Sequence, residues 1–101
     1  MNVMKMMKQA QELQAKAGKI QAELAAREYT AESGGGVVKA VANGEGYLVS
    51  LKIDPSIVKE GEGEMLEDLV VTAVREAVEK GKKDMQTEMG KLTAGLGLPG
   101  L

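Results

Sequence analysis

The chain contains no cysteine, histidine, tryptophan or phenylalanine, and two tyrosines are its only aromatic residues. Each absence removes a chemistry. Without cysteine there is no thiol nucleophile and no disulfide, which suits a reducing cytosol. Without histidine there is no imidazole base, and without either residue the common zinc sites cannot be built. No tryptophan is available as a platform for a sugar ring, and nothing in the pattern suggests the shaped cleft that paired-carboxylate hydrolysis needs. Long apolar runs are missing too: unbroken stretches span only a few residues, against the ~20 needed to cross a bilayer. Gln, Lys and Glu recur through residues 1–27, so that segment does not read as a signal peptide. The expectation is a non-enzymatic cytoplasmic protein with no cofactor, no bound metal, no small-molecule substrate and no membrane partner.

What is present is enough for one domain with a modest core: 101 residues, 44% of them hydrophobic. The net charge of −2 taken alone argues against nucleic acid, but its distribution is uneven. Residues 1–27 carry five bases against two acids, residues 28–53 two against three, and residues 54–101 six against ten. A basic first segment stands on an acidic protein.

Val3, Met6, Ala10, Leu13, Ala17, Ile20 and Leu24 recur at alternating spacings of three and four. Such a heptad seam predicts one helix over residues 3–24, ~35 Å long at ~1.5 Å per residue. The period then changes. Tyr29–Ser33, Val37–Ala42 and Tyr47–Ile53 read as three short strands, separated by Gly34-Gly35-Gly36 and by the Asn43-Gly44-Glu45-Gly46 hairpin signal. Tyr47, Val49, Leu51 and Ile53 are expected on one face of the third strand. Val37, Val41 and Leu48 are expected to share the other face, where something should cover them. Asp54-Pro55-Ser56 ends the sheet, with Pro55 suited to a first helical turn. Lys59–Gly63 reads as a loop. A second long helix follows from about Glu64 to Met89, with Leu66, Leu69, Val70, Ala73, Ala77 and Val78 as its apolar stripe. Gly90–Leu101 has four glycines, one proline and no period. The domain is therefore expected to end at residue 91, with residues 92–101 as a flexible tail.

The predicted fold class is α+β in the order α-β-β-β-α: a short three-stranded antiparallel sheet flanked by two long helices. Strands of this length span ~17–24 Å, so both helices should overhang the sheet. An overhanging apolar seam needs a partner, and self-association is expected through a patch of Val37, Val41 and Leu48.

Several motifs carry little. Gly90-Lys91-Leu92-Thr93 lacks the spacing of a phosphate-binding loop, and Gly34-Gly35-Gly36 between two strands reads as a tight turn. Glu60, Glu62, Glu64, Glu67 and Asp68 have no calcium-loop spacing and suit the positive end of a helix dipole. The lysines of the first helix say more. At ~100° per residue, Lys5, Lys8, Lys16 and Lys19 fall in a stripe ~80° wide, ~125° from the apolar seam. Lys80, Lys82 and Lys83 form a second basic cluster, with Lys91 just beyond. If the helices run antiparallel, these lysines gather at one end. Two readings stand for the stripe: a solvated face, with Glu12 supporting Lys8 and Lys16 at four-residue spacing, or a row of phosphate contacts that reads no bases.

Met7-Lys8-Gln9-Ala10-Gln11, Glu32-Ser33-Gly34-Gly35-Gly36, Ile53-Asp54-Pro55-Ser56 and Glu64-Met65-Leu66-Glu67-Asp68-Leu69, in this order and spacing, resemble the YbaB/EbfC family of bacterial nucleoid-associated proteins over about residues 4–89. The resemblance implies a tweezer-shaped homodimer, binding of double-stranded DNA, a place on the bacterial nucleoid and no catalysis. With two arginines in the chain, bidentate reading of guanine has little support, and weak sequence preference is expected. The DNA-contact candidates are Lys5, Lys8, Lys16, Lys19, Lys82, Lys83 and Lys91, taken from the helix arithmetic. The competing plan is a protein-interaction module: two helices bracketing hairpins also resemble prefoldin-type chaperone subunits, although these helices are short for such arms.

Overall fold

The computed structural model describes residues 2–95. Its elements are α1 (Val3–Ala26), β1 (Glu28–Ser33), β2 (Val38–Asn43), β3 (Leu48–Ile53), a single 3-10 turn (Pro55–Ile57) and α2 (Gly63–Gly95). This is the expected α-β-β-β-α order, and the strands form one antiparallel sheet ordered β1-β2-β3.

Local chemistry explains the joints. Asn2 caps α1 by accepting hydrogen bonds at Oδ1 from the backbone N–H groups of Met4 (3.1 Å) and Lys5 (3.3 Å). The β1–β2 turn holds Gly34, Gly35 and Gly36 at φ of +61°, +74° and +98°, a left-handed run closed to most L-residues. In the β2–β3 turn Asn43 Oδ1 accepts from the N–H of Glu45 (3.0 Å) and of Tyr47 (3.1 Å), an Asx turn that fixes the hairpin. Asp54 caps the 3-10 turn by accepting from Ser56 N–H at 2.9 Å.

The core is built from small residues. Ala31, Val38, Ala40 and Ala42 of the sheet meet Ala73 and Ala77 of α2, all buried, with Leu66, Leu69, Val70, Val74 and Val78 packed around them. Alanine on both sides lets the helix backbone lie close to the sheet. At Gly81 a Cβ would come within 3.1 Å of the Asn43 carbonyl and 3.2 Å of the Tyr29 ring. Two polar ties reinforce the contact: Ser33 Oγ donates to the Leu69 carbonyl and Lys80 Nζ to the Thr30 carbonyl, both at 2.6 Å.

Helix α2 covers β1 and β2 and leaves β3 at an open edge. Tyr47, Leu48, Val49 and Leu51 are accordingly exposed. The expected common face of Val37, Val41 and Leu48 does not form. A register shift beside Val41 and Ala42 pairs Val41 with Ser50 but Ala42 with Leu48. Residues directly opposite in an antiparallel pair share a face. The shift therefore places Leu48 with Ala42 on the α2 side, along with Leu51 and Ile53, while Val41 stays on the opposite side with Ser50 and Lys52. Val37 precedes β2 and packs against the core cluster. One inserted residue is enough to break strict alternation.

The second difference lies at the end of α2, which runs through Gly95 instead of stopping at Met89. One helical glycine costs only ~1 kcal/mol. The helix continues past Gly90, and the Thr93 hydroxyl donates back to the carbonyls of Met89 (3.4 Å) and Gly90 (3.0 Å). Leu92 is half-buried. The expected tail thus begins inside a helix, and its remainder, 96–101, lies outside the described residues.

Candidate nucleic-acid interface

The protein is elongated, 71 × 22 × 16 Å, because α1 and the part of α2 beyond Gly81 leave the sheet together. α1 runs towards the sheet and α2 away from it, so the two form an antiparallel arm. Their contact is a single seam: Leu13, Ala17 and Ile20 half-buried and Leu24 buried on α1, and Met85, Met89 and Leu92 half-buried on α2. The other half of the predicted heptad seam, Val3, Met6 and Ala10, is exposed; every residue from Asn2 to Glu12 is.

A polar cluster lies at the base of the arm and ties the start of β1 to α2. Tyr29 Oη donates to Asp84 Oδ2 at 2.5 Å, and Arg27 Nη1 donates to the same oxygen at 3.1 Å. Arg27 and Tyr29 flank the start of β1, whereas Asp84 lies one turn beyond Gly81 on α2. The Tyr29 hydrogen bond first, and Arg27 second, hold the Asp84 carboxyl below its ordinary range. Burial first, and the same carboxylate second, push the Tyr29 hydroxyl up. The Arg27 guanidinium is raised chiefly by its hydrogen bond to Asp84. On the other side of the base Gly44 touches the last turn of α1, where a Cβ would collide with the Leu24 carbonyl.

Lys5, Lys8, Lys16 and Lys19 lie exposed along α1, and Lys82 and Lys83 lie exposed on α2. Among the described residues none of these six has a carboxylate within ion-pair distance. Lys91 differs: its Nζ is 3.5 Å from Glu88 Oε1. Lys80 is held by the Thr30 carbonyl. On the sheet, Lys39 pairs with Glu32 at 3.6 Å and lies opposite Lys52. Glu60, Glu62, Glu64, Glu67 and Asp68 are exposed around the start of α2, at the end of the molecule remote from the arm. Among the described residues no cluster of acids could hold a metal ion, and no helix is long and apolar enough to cross a membrane.

Sequence reading placed the α1 lysines on an exposed side of the helix and missed the polar cluster at the base of the arm. Arg27, Tyr29 and Asp84 are more than fifty residues apart in the chain, and no local pattern links them. Gly81 could not be told by sequence from Gly18 and Gly90, helical glycines with open space around them. The resulting surface is a projecting pair of helices whose exposed ammonium groups mostly lack a carboxylate partner among the described residues. Flexible point charges of this kind suit a repeating array of phosphates.

Comparison with known proteins points the same way. Residues 1–96 match the model of the YbaB/EbfC DNA-binding family. Nucleoid-associated protein Atu0095 of Agrobacterium fabrum is 49% identical over 98 residues, covering 97% of this chain and 92% of that protein. Nucleoid-associated protein Teth39_2199 of Thermoanaerobacter pseudethanolicus is 46% identical over 100 residues, with 99% and 90% covered. The crystal structure of the uncharacterized protein HP0035 from Helicobacter pylori shares the fold, with a TM-score of 0.67 at 21% identity, over 79% of this chain and 93% of that one.

Proposed function

The chain belongs to the YbaB/EbfC DNA-binding family, and from that membership we propose that it is a nucleoid-associated protein of bacteria that binds duplex DNA as a homodimer, chiefly through phosphate contacts made by its two-helix arm. The observation that carries the reading is the set of exposed lysines on the arm, six of them without a carboxylate partner among the described residues, on an otherwise acidic molecule. Contacts of ammonium groups with phosphates carry no sequence information, so sequence preference is weak. The role calls for no catalytic group.

The dimer half of the proposal rests on β3. An edge strand with exposed Leu48, Val49 and Leu51 and no proline invites pairing with another strand. A second copy, related by a two-fold axis, satisfies both edges at once and shields Leu48 and Leu51, which α2 leaves uncovered. Light scattering should then give about twice the chain mass of 10.7 kDa. A single-chain mass at micromolar concentration would refute the pairing.

Binding that neutralises phosphates releases counterions. The logarithm of affinity should fall linearly with the logarithm of salt, with a slope of about −0.9 per contact. Glu12 and Glu23 oppose the α1 lysines, so on the order of four to six contacts per dimer are expected. Replacing Lys5 and Lys8 together by alanine should flatten the slope by about two to four and weaken random and chosen duplexes alike. Lys39→Ala and Lys52→Ala, on the sheet, should change little. A larger effect from the sheet lysines than from Lys5 and Lys8 would overturn the assignment of the arm.

A further inference from the structure

Burial on α1 changes along its length. Over its second half the apolar residues turn inward to α2. Over its first half Val3, Met4, Met6 and Met7 are 65%, 80%, 51% and 58% exposed. Met6 continues the line of Leu13, Ala17, Ile20 and Leu24. Met4 and Met7 do not. At ~100° per residue they lie ~170° and ~110° around the helix from the mean direction of that line. A lengthened arm seam therefore cannot account for them: they are apolar side chains on the outer side of a polar helix. They line one shallow open groove with Asn2, Lys5, Lys8 and Gln11, and neither lysine has a carboxylate partner among the described residues.

We propose that Met4 and Met7 form a wedge that enters a groove of the duplex and partly unstacks a base step, while Lys5 and Lys8 hold the phosphates beside it. This rests on the DNA-binding reading above and goes beyond it, because phosphate contacts alone do not require an unstacked base step. Charge selects the occupant. The apolar pair is interleaved with the exposed cations Lys5 and Lys8, which favours a partner that presents anions on both sides of an apolar stack. Methionine is well suited to wedging, since its unbranched, polarizable chain fills irregular gaps, and apolar wedges of this size kink duplexes by roughly 20–90°.

The test uses the full chain and a duplex of about 25 base pairs, labelled at both ends for energy transfer and carrying 2-aminopurine at a central step. Wild-type protein should shorten the end-to-end distance and brighten the 2-aminopurine. The double variant Met4→Ala, Met7→Ala should still bind, with the salt slope unchanged, but leave the distance and the fluorescence near the free-duplex values. Leucine at both positions should restore the kink and glutamine should not. Because both side chains are exposed, the circular dichroism of every variant should match the parent. Binding without any kink overturns the wedge and leaves the DNA-binding reading standing, as does a kink that survives the alanine pair. Absence of binding at low salt overturns both. A change in oligomeric mass in the alanine pair, with the kink retained, overturns the wedge in favour of a contact between copies.

Discussion

The molecule has two regions built on opposite terms. In the body, the sheet and the first half of α2 meet through alanines packed so closely that a methyl group at Gly81 would press on the Asn43 carbonyl and the Tyr29 ring. In the arm, two helices touch along one seam of larger, mostly half-buried residues and otherwise face water. Interiors at crystal-like density transmit any change of volume, whereas a partly solvated seam absorbs it. The body is thus the rigid support and the arm the tolerant surface, and the junction between them determines where the lysines point.

The junction should be the most sensitive place. Gly44→Ala drives a methyl group into the Leu24 carbonyl, and main chain on both sides must move. A loss of at least ~2 kcal/mol is expected, in the upper part of the usual range for single changes, with the midpoint of a urea melt as the readout. A smaller loss would show that the hairpin tip and α1 can separate without harm, and that the arm is not fixed there. The next experiment sets the two regions side by side with one substitution. Ala77→Leu overpacks the alanine core and should cost ~1–3 kcal/mol. Ala15→Leu, on the exposed side of α1, should stay within ~0.5 kcal/mol. Equal costs at the two positions would abolish the distinction between body and arm.

The smallest effect belongs to the Arg27–Tyr29–Asp84 cluster and shows mainly in its pH dependence. Asp84 has a depressed pKa in the folded state. Its contribution is therefore present above the unfolded value of about 3.9 and lost as pH falls through the folded value. Asp84→Asn should lower the melting temperature modestly at neutral pH and converge on the parent below about pH 4. The raised Tyr29 hydroxyl works in the other direction and weakens the fold above about pH 10. A constant gap between parent and variant from pH 3 to pH 7 would show that the carboxylate's charge has no role in the clamp.

Much of this architecture is legible in the sequence, for reasons that can be named. The heptad spacing of α1, the stripe of α2 and the Asn43-Gly44 turn are local signals whose period decides the element. The Ala31, Ala40 and Ala42 core was not legible. Alanine is small and serves helix, strand and surface alike, so its burial is decided by the partner helix. The face of Leu48 was lost to the irregularity beside Val41, since alternation counts residues and a bulge adds one. The end of α2 was lost because Gly90 reads as a stop when its packing is unknown. Helix arithmetic put Lys5, Lys8, Lys16 and Lys19 on an exposed side of α1. It could not foresee that Lys91 would lie beside Glu88 or that Lys80 would be committed to the Thr30 carbonyl.

The separation of charge along a long, narrow body has a further consequence, for kinetics. With a surplus of ammonium groups at one end and Glu60, Glu62, Glu64, Glu67 and Asp68 at the other, each chain is an electric dipole. Near a strongly anionic surface it experiences a torque before it touches anything. At physiological salt the field decays over about 8 Å, so the turn occurs only in the last stage of approach. In dilute salt it reaches further out and selects the encounters that arrive arm first. Association should then quicken steeply as salt is lowered, and moving acidic residues from the α2 start to the arm tip should slow it even at an unchanged net charge of −2.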